Sequence, residues 1–232
     1  MSANDWNPLL LWLQIAGGSF PTGCFNHSYG LETYIQEGRA RHAGDIEKLM
    51  IAFMEASLGT DAVFVKEAHG AAEVGDTERL QFLHDLYSTV KTARETHEAS
   101  LKTGRSLLRG VQTLLDDAEA IRAGRFLPLK PPPVLHYPVA YGTIAAMLRL
   151  PPDETVETYL FSGAASLVSV ASRIMPLGQT EAQKLLFRLN RVLTSWRIDV
   201  SGLCLEKLQT FSPGLEVASM RHETLYTRLC MS

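Results

Sequence analysis

The sequence predicts an all-α fold, a single compact helical-bundle domain of about ten helices that spans residues 1–232. Apolar residues recur at helical spacing in most segments, whereas no segment combines strand-like alternation with hairpin turns. The chain has 232 residues, of which 46% are hydrophobic and 20% are charged. Such a composition is typical of a globular domain with a core of its own.

Amphipathic stripes mark the predicted helices in chain order. They lie at residues 46–54, 80–93, 107–118 and 185–196. Asp45 is the predicted N-cap of the first stripe, and Asn26 is the predicted N-cap of an earlier helix that includes Glu32. Thr180, with Gln183 three residues later, predicts a capping box before the last stripe.

Two segments depart from this pattern. Residues 129–142, LKPPPVLHYPVAYG, contain three consecutive prolines, which interrupt a helix, so we expect a packed crossover within one domain. Residues 158–172, TYLFSGAASLVSVAS, carry no charge but are shorter than the roughly 20 residues that span a membrane. We therefore predict that this segment forms a central core helix.

Charge and cysteine content exclude several classes of protein. A net charge of −3 with scattered basic residues does not favour nucleic-acid binding. Cys24, Cys204 and Cys230 form no C-x-x-C pair, which argues against a disulfide framework or a zinc ribbon and favours a reducing, cytoplasmic location. The apolar run at residues 9–15 follows no Lys or Arg, so we expect neither a signal peptide nor a membrane anchor.

The short motifs do not predict catalysis. In GGSFPTGC, residues 17–24, the Lys and Ser/Thr of a phosphate-binding loop are missing, so we interpret this stretch as a turn. HETLY, residues 222–226, begins like a zinc-binding H-E-x-x-H helix, but Tyr226 stands at the position of the second His. Cys24 with His27 is more typical of a structural turn than of a catalytic dyad. The motifs therefore predict no catalytic, cofactor-binding or metal site, and a protein that is not an enzyme.

Four stretches carry a family resemblance. They are GGSFPTGCFNHSYGLETYIQEG at residues 17–38, ARETHEASLKTGRSLL at 93–108, ASRIMPLGQTEAQKLL at 171–186 and ASMRHETLYTRLCMS at 218–232. In this order and at this spacing they resemble the urease accessory protein UreF family, over essentially the whole chain. One departure is Arg173, where many members carry Lys, because Arg keeps the charge but changes the geometry of the donors.

This resemblance implies a function in metalloenzyme maturation. Members of the family are all-helical and dimeric, and they act as chaperone-like adaptors. They bind the accessory protein UreD, called UreH in some bacteria, and recruit the GTPase UreG, so that nickel enters apo-urease in a GTP-dependent step. The resemblance implies no cofactor in this chain, because nickel and GTP are handled by the partner GTPase, whose activity the adaptor is proposed to modulate.

The resemblance also implies a set of partner-binding residues. They are His27, Tyr29, Glu32, Arg173, Gln179, Arg221, His222, Glu223, Tyr226 and Arg228. For the first three, capping of a helix is an alternative explanation. We expect Arg173 to serve the surface that faces UreG.

The C-terminal tail, residues 219–232, is unusually apolar for the end of a chain. Met220 to Leu229 are predicted to form a short amphipathic helix, which is too short to be stable alone and must therefore dock. Docking on its own domain is one alternative. We favour docking that UreD completes, with Tyr226 as an aromatic anchor and Arg228 as a polar contact.

Two other functions compete with the adaptor. One is a helical metal-dependent hydrolase that uses His27, His222 and Glu223. The other is a helical interaction module whose client is not urease.

Overall fold

A computed structural model of the chain describes residues 7–115, 134–209 and 213–230. These residues form ten α-helices and no strand, which confirms the predicted all-α bundle. The helices are α1 Pro8–Ala16, α2 Leu31–Gln36, α3 Ala43–Gly59, α4 Asp61–Glu73, α5 Thr77–Val90, α6 Arg94–Leu115, α7 Tyr137–Met147, α8 Pro152–Ile174, α9 Gln179–Trp196 and α10 Pro213–His222. Among these helices, none is long and apolar enough to cross a bilayer.

Helix α7 lies at the centre of the fold, and every residue from Pro138 to Ala146 is buried. It packs against α4 on one side and α6 on the other. The predicted break at residues 129–142 is therefore wrong for its second half, because Pro138 occupies the first turn of α7, where a missing N–H costs nothing. Residues 129–133 lie outside the described part of the chain.

Helix α8 contains the uncharged segment 158–172. We predicted that this segment is buried on all sides, but it is not. Leu160, Leu167 and Val170 face the core, whereas Ser169 is exposed. The helix packs on α3, α4 and α9, and also contacts α1, α2 and α7. Its serines carry their polar groups within the helix, since Ser162 and Ser172 donate hydrogen bonds to carbonyl oxygens three or four residues earlier.

The predicted N-caps were wrong by a few residues. His42 is the N-cap of α3, and Asp45 is its third residue, whose carboxylate accepts the backbone N–H groups of Arg41 and His42. Helix α2 begins after Gly30 rather than Asn26, and α9 begins after Gly178 without a side-chain cap. The stripes at 46–54 and 185–196 lie within helices as predicted, and so do residues 80–90 and 107–115. Ala93 lies beyond the end of α5, and residues 116–118 lie outside the described part of the chain.

Buried apolar side chains form two clusters. The first gathers around α4 and α7 and is rich in tyrosine. The second joins α3, α8 and α9, where Ile46, Leu185 and Leu189 are fully buried. Two distant residues complete the second cluster, Leu31 at the start of α2 and Cys230 at the end of the described chain. This cluster therefore brings the start of α2 close to the end of the described chain.

Three histidines meet where α5, α6 and α7 converge. The ring of His136 lies 4.9 Å from the rings of His84 and His97, measured between centroids. The Nε2 atom of His136 lies 2.8 Å from the hydroxyl of Ser88. Burial, with the neighbouring His84, His97 and Lys91, lowers the pKa of His136 to about 3. The imidazole of His136 is thus neutral at pH 7 and belongs to the core.

Acidification should destabilise the fold through His136. Its ordinary pKa is roughly 6.5, so below that pH the unfolded chain binds a proton at this imidazole and the folded chain does not. We expect the free energy of unfolding to fall by about 2–3 kcal/mol between pH 6.5 and pH 4 from this residue. Urea unfolding followed by circular dichroism should show a flatter pH dependence in His136→Gln, and equal slopes in both proteins would contradict the assignment.

The crossing of α4 and α7 should depend on Gly142. A Cβ atom there would overlap the carbonyl oxygen of Val65 on α4. Gly142→Ala should therefore lower the free energy of unfolding by about 1–3 kcal/mol, as an overpacked core does. Gly70→Ala is the matched control, because that exposed glycine of α4 has no atom near its Cβ position. It should stabilise the protein by up to about 1 kcal/mol, and similar losses in both variants would contradict the prediction.

Candidate functional site

The carboxylate of Glu32, at the start of α2, is fully buried and accepts hydrogen bonds from the far end of the chain. Its oxygens accept the backbone N–H groups of Leu229 at 2.8 Å and Cys230 at 3.0 Å. They also lie 3.0 Å from Nε2 of His222 and 3.1 Å from the amide nitrogen of Gln36. A buried carboxylate is tolerated only when it is bonded in this way.

The imidazole of His222, the last residue of α10, is fully buried between two carboxylates. Its Nδ1 atom lies 2.9 Å from Glu95 on α6, and its Nε2 atom lies 3.0 Å from Glu32. Glu95 also accepts a hydrogen bond from Arg228 at 3.3 Å. One histidine therefore joins α2, α6 and α10.

Other side chains of α2 hold the same region. Thr33 donates to the carbonyl oxygen of Ala218 at 2.8 Å, and Gln36 donates to the carbonyl oxygen of Thr227 at 2.8 Å. Two exposed ion pairs lie beside these bonds, Glu37 with Arg221 at 3.3 Å and Arg94 with Glu223 at 2.9 Å. Three stretches that are far apart in sequence, at 17–38, 93–108 and 218–232, thus meet at one place.

Two residues with left-handed backbone bring α2 against α10. Tyr29 has φ of +47° and Gly30 has φ of +84°. A Cβ atom at position 30 would overlap Ala218 and the backbone nitrogen of Ser219. Glycine is therefore required there for two reasons, its backbone conformation and the close approach of α10.

The pKa of Glu32 reflects these bonds. Burial acts to raise it, but the N–H groups of Leu229 and Cys230 and the imidazole of His222 outweigh burial and leave it below the ordinary value. Burial and the nearby carboxylate of Glu32 raise the pKa of the Cys230 thiol to about 11. Cys230 is thus a neutral core residue at pH 7, and Glu32 is ionised.

We call residues 223–230 the C-terminal segment. It does not form the predicted amphipathic helix from Met220 to Leu229, because α10 ends at His222 and turns follow it. Backbone groups that would bond within a helix bond instead to Glu32 and Gln36 of α2. The segment therefore docks on its own domain through backbone polar groups and the preceding histidine.

The apolar side chains of this region point outwards. Tyr226 is fully exposed, Leu229 is 72% exposed, and Met220 and Val217 of α10 are each 45% exposed. Arg221 and Arg228 lie beside them and are also exposed. We call this surface the tail patch, made of Val217, Met220, Tyr226 and Leu229. Side chains of this kind on an ordered backbone are typical of an interaction site.

The predicted partner-binding residues divide into two groups. His27, Glu32 and His222 are buried, and Tyr29 is half-buried. Arg173, at the last turn of α8, and Gln179, at the start of α9, are exposed, as are Arg221, Tyr226 and Arg228, while Glu223 is partly exposed. The charge of Arg173 acts on the Cys230 thiol, which relates that end of α8 to the site. The sequence analysis missed Thr33, Gln36 and Glu95, although all three lie in the stretches that carry the resemblance.

A cavity of about 130 Å³ lies among α3, α5, α7 and α8, and its wall extends to Tyr29 and to Leu215 and Ser219 of α10. Its wall includes Asp61, which pairs with Lys91 at 2.9 Å and accepts hydrogen bonds from Tyr87 at 2.9 Å and Tyr159 at 3.3 Å. Burial and the charge of Asp61 raise the pKa of both tyrosines well above the usual value. The charged groups in this wall therefore already satisfy one another.

The described residues include no group of three or more His, Cys, Asp or Glu side chains that could hold a metal ion. The hydrolase alternative needs His222 and Glu223 as free ligands or bases. Both ring nitrogens of His222 instead face carboxylates, and Glu223 is paired with Arg94. This arrangement links α2, α6 and α10 to the C-terminal segment.

Comparison with known proteins relates the chain to one family. A family model described as UreF matches residues 41–190. The chain is 34% identical to the urease accessory protein UreF of Paenarthrobacter aurescens, over 94% of this chain and 96% of that protein. It is also 34% identical to UreF of Sporosarcina pasteurii, over 87% of this chain and all of that protein. The identity to UreF of Lachnoclostridium phytofermentans is 33%, over 97% and 99% of the two chains.

Proposed function

The chain belongs to the UreF family of urease accessory proteins, and we propose that it is an adaptor which binds UreD and recruits the GTPase UreG for nickel insertion into apo-urease. In this proposal the chain acts in the cytoplasm and carries out no reaction itself. Nickel and GTP are handled by the partner GTPase, whose turnover the adaptor modulates.

The tail patch is the observation that carries this proposal. Its backbone is held by hydrogen bonds to Glu32 and Gln36, while the side chains of Tyr226 and Leu229 are largely exposed. Rigid, exposed aromatic and aliphatic side chains bind a partner with little loss of conformational entropy. We therefore assign the tail patch to the contact with UreD.

The exposed polar residues fit the rim of such a contact. Arg221 and Arg228 flank the tail patch, and Arg173 and Gln179 lie at the junction of α8 and α9. Arginine at an interface rim steers a partner that carries acidic groups. We assign Arg173 and Gln179 to the surface that receives UreG.

The buried members of the predicted set have a different role. Glu32 and His222 are fully buried, so they do not reach a partner in this conformation. They act by positioning the C-terminal segment, and a change in either residue affects binding through the shape of the tail patch. His27, packed beside Tyr29, supports the turn that precedes α2.

A second apolar surface supports the proposal that the adaptor is a homodimer. Leu9, Leu10 and Leu13 of α1 are 54%, 64% and 61% exposed, while Trp12 and Ile15 on the other side of the helix are buried. A helix with leucines on its outer face is suited to pair with a second copy of itself across a two-fold axis. We assign α1 to the dimer interface.

Removal of the two outer side chains of the tail patch should abolish partner binding without affecting the fold. In Tyr226→Ala/Leu229→Ala both side chains are exposed, so the melting temperature should stay within a few degrees of wild type. Affinity for UreD should fall on the order of 100-fold, as loss of interface anchors predicts. Co-purification with UreD and urease activity in cells that express all accessory proteins would measure both effects.

Phe187→Ala is the matched control for this experiment, because Phe187 is an exposed aromatic residue of α9 outside the tail patch. It should leave UreD binding and urease activation unchanged. Normal binding by the double variant would contradict the assignment of the tail patch. Full urease activity in cells that lack this chain altogether would contradict the proposed function itself.

Charge on the outer face of α1 should separate the dimer. Leu10→Glu/Leu13→Glu places two carboxylates in a surface that is apolar on both copies, which costs more than the pairing gains. Sedimentation at micromolar concentration should give twice 25.6 kDa for wild type and 25.6 kDa for the variant. Gln183→Glu, at an exposed position of α9 away from α1, should remain a dimer. A wild-type monomer would overturn the assignment.

A further inference from the structure

The two contacts of His222 define its charge. A neutral imidazole has one N–H group, so its other nitrogen would direct a lone pair at a carboxylate oxygen about 3 Å away, which is repulsive. Here Nδ1 lies 2.9 Å from Glu95 and Nε2 lies 3.0 Å from Glu32. Both contacts are attractive only when both nitrogens carry a proton, or when one of the carboxyl groups does.

The carboxyl groups are not the source of that proton. Both oxygens of Glu32 accept backbone N–H groups, one from Leu229 and one from Cys230. The second oxygen of Glu95 accepts a hydrogen bond from Arg228. Donors on every oxygen favour the ionised carboxylate. The proton therefore belongs to the imidazole.

We propose that His222 is held as an imidazolium between Glu32 and Glu95, and that this bridge is a latch which fixes the C-terminal segment in the shape that a partner binds. The consequence for binding rests on the proposed function of the tail patch. The latch itself is a property of this chain alone. Glu32, Glu95 and His222 are positioning residues, since none of them reaches the outer surface of the tail patch.

The charges around the latch balance. On α2, Glu32 faces the imidazole, and on α6, Glu95 does so from the other side. The C-terminal segment supplies Arg228, which pairs with Glu95, and Arg173 of α8 acts on the adjoining Cys230. Arg94 and Glu223 pair with each other, and Arg221 pairs with Glu37, outside this group. Loss of the imidazolium would leave Glu32 as a buried carboxylate with no cation in contact, a strongly unfavourable state.

The latch should open in acid. The pKa of Glu32 is lowered in the fold, so its contribution is complete above the ordinary carboxyl pKa of about 4.3 and is lost as the pH falls below that value. The segment is thus held at neutral pH, where Glu32 is ionised.

Nuclear magnetic resonance of the full chain tests the charge directly. Long-range ¹H–¹⁵N correlation of the imidazoles at pH 7 should show both nitrogens of His222 in the protonated range. The neutral His136, in the core, should show one protonated and one unprotonated nitrogen in the same spectrum. A single neutral tautomer for His222 would overturn the proposal.

Amide hydrogen exchange tests the latch. In Glu95→Gln, the amides of Leu229 and Cys230 should exchange at least about tenfold faster, because a neutral amide replaces the carboxylate beside the imidazolium. Glu98→Gln, the same change one turn further along α6 at an exposed ion pair with Arg94, should leave these amides unchanged. Corrected for intrinsic rates, wild-type protection of both amides should also decrease below about pH 4.

Amides of α7 report global stability in the same measurement and should stay protected in every variant. The test uses Glu95→Gln, which removes one of the two carboxylates and keeps His222, so it does not depend on whether a His222→Gln variant folds. Unchanged protection of Leu229 and Cys230 in Glu95→Gln would overturn the latch.

UreD binding by Glu95→Gln separates this proposal from the proposed function. Faster exchange with an affinity reduced about tenfold supports both. Faster exchange with unchanged affinity keeps the latch and contradicts the role of the tail patch. Weaker binding with unchanged exchange overturns the latch, because the effect would then come from the surface.

Discussion

The C-terminal part of the fold depends on one buried carboxylate that joins positions 190 residues apart in the chain. Glu32 lies on a helix of six residues, which is far too short to be stable alone. It is kept in place because α10 and the C-terminal segment provide hydrogen-bond donors to its carboxylate. Helix α2, the start of α6 and the C-terminal segment are therefore coupled through Glu32 and His222.

This arrangement lets the C-terminal segment stay ordered while its apolar side chains remain exposed. Polar backbone groups point inwards and are satisfied, so the apolar side chains need not pack on the domain to keep the segment ordered. Tyr226 and Leu229 remain available at the surface. The adaptor role that we propose would use such a surface, since free energy spent on ordering a tail is not available for partner binding.

The sequence predicted the parts of the fold that depend on local patterns. The stripes at 46–54 and 185–196 face the second apolar cluster as expected, because burial of one helix face leaves a periodic record. The centre of the fold was misplaced, since α7 combines proline with small apolar residues and shows almost no amphipathic pattern. The family was predicted correctly from four separated stretches, which agrees with the sequence identity of 33–34% to relatives over most of the chain.

The site could be predicted only in part, for the same physical reason. Helical spacing assigned Met220 to Leu229 to a helix, but hydrogen bonds to Glu32 and Gln36 compete with that helix and replace it, and no local pattern records a competitor so far away. Glu95 was missed because its contact with His222, 127 residues away, leaves no local sequence pattern.

A region stabilised by distant contacts opens more readily than a core helix such as α7, whose residues are buried throughout. A partner that binds only the conformation with the C-terminal segment docked would therefore also stabilise α2 and the start of α6. Docking at the tail patch would thereby stabilise residues of α2 and α6 that the partner does not contact.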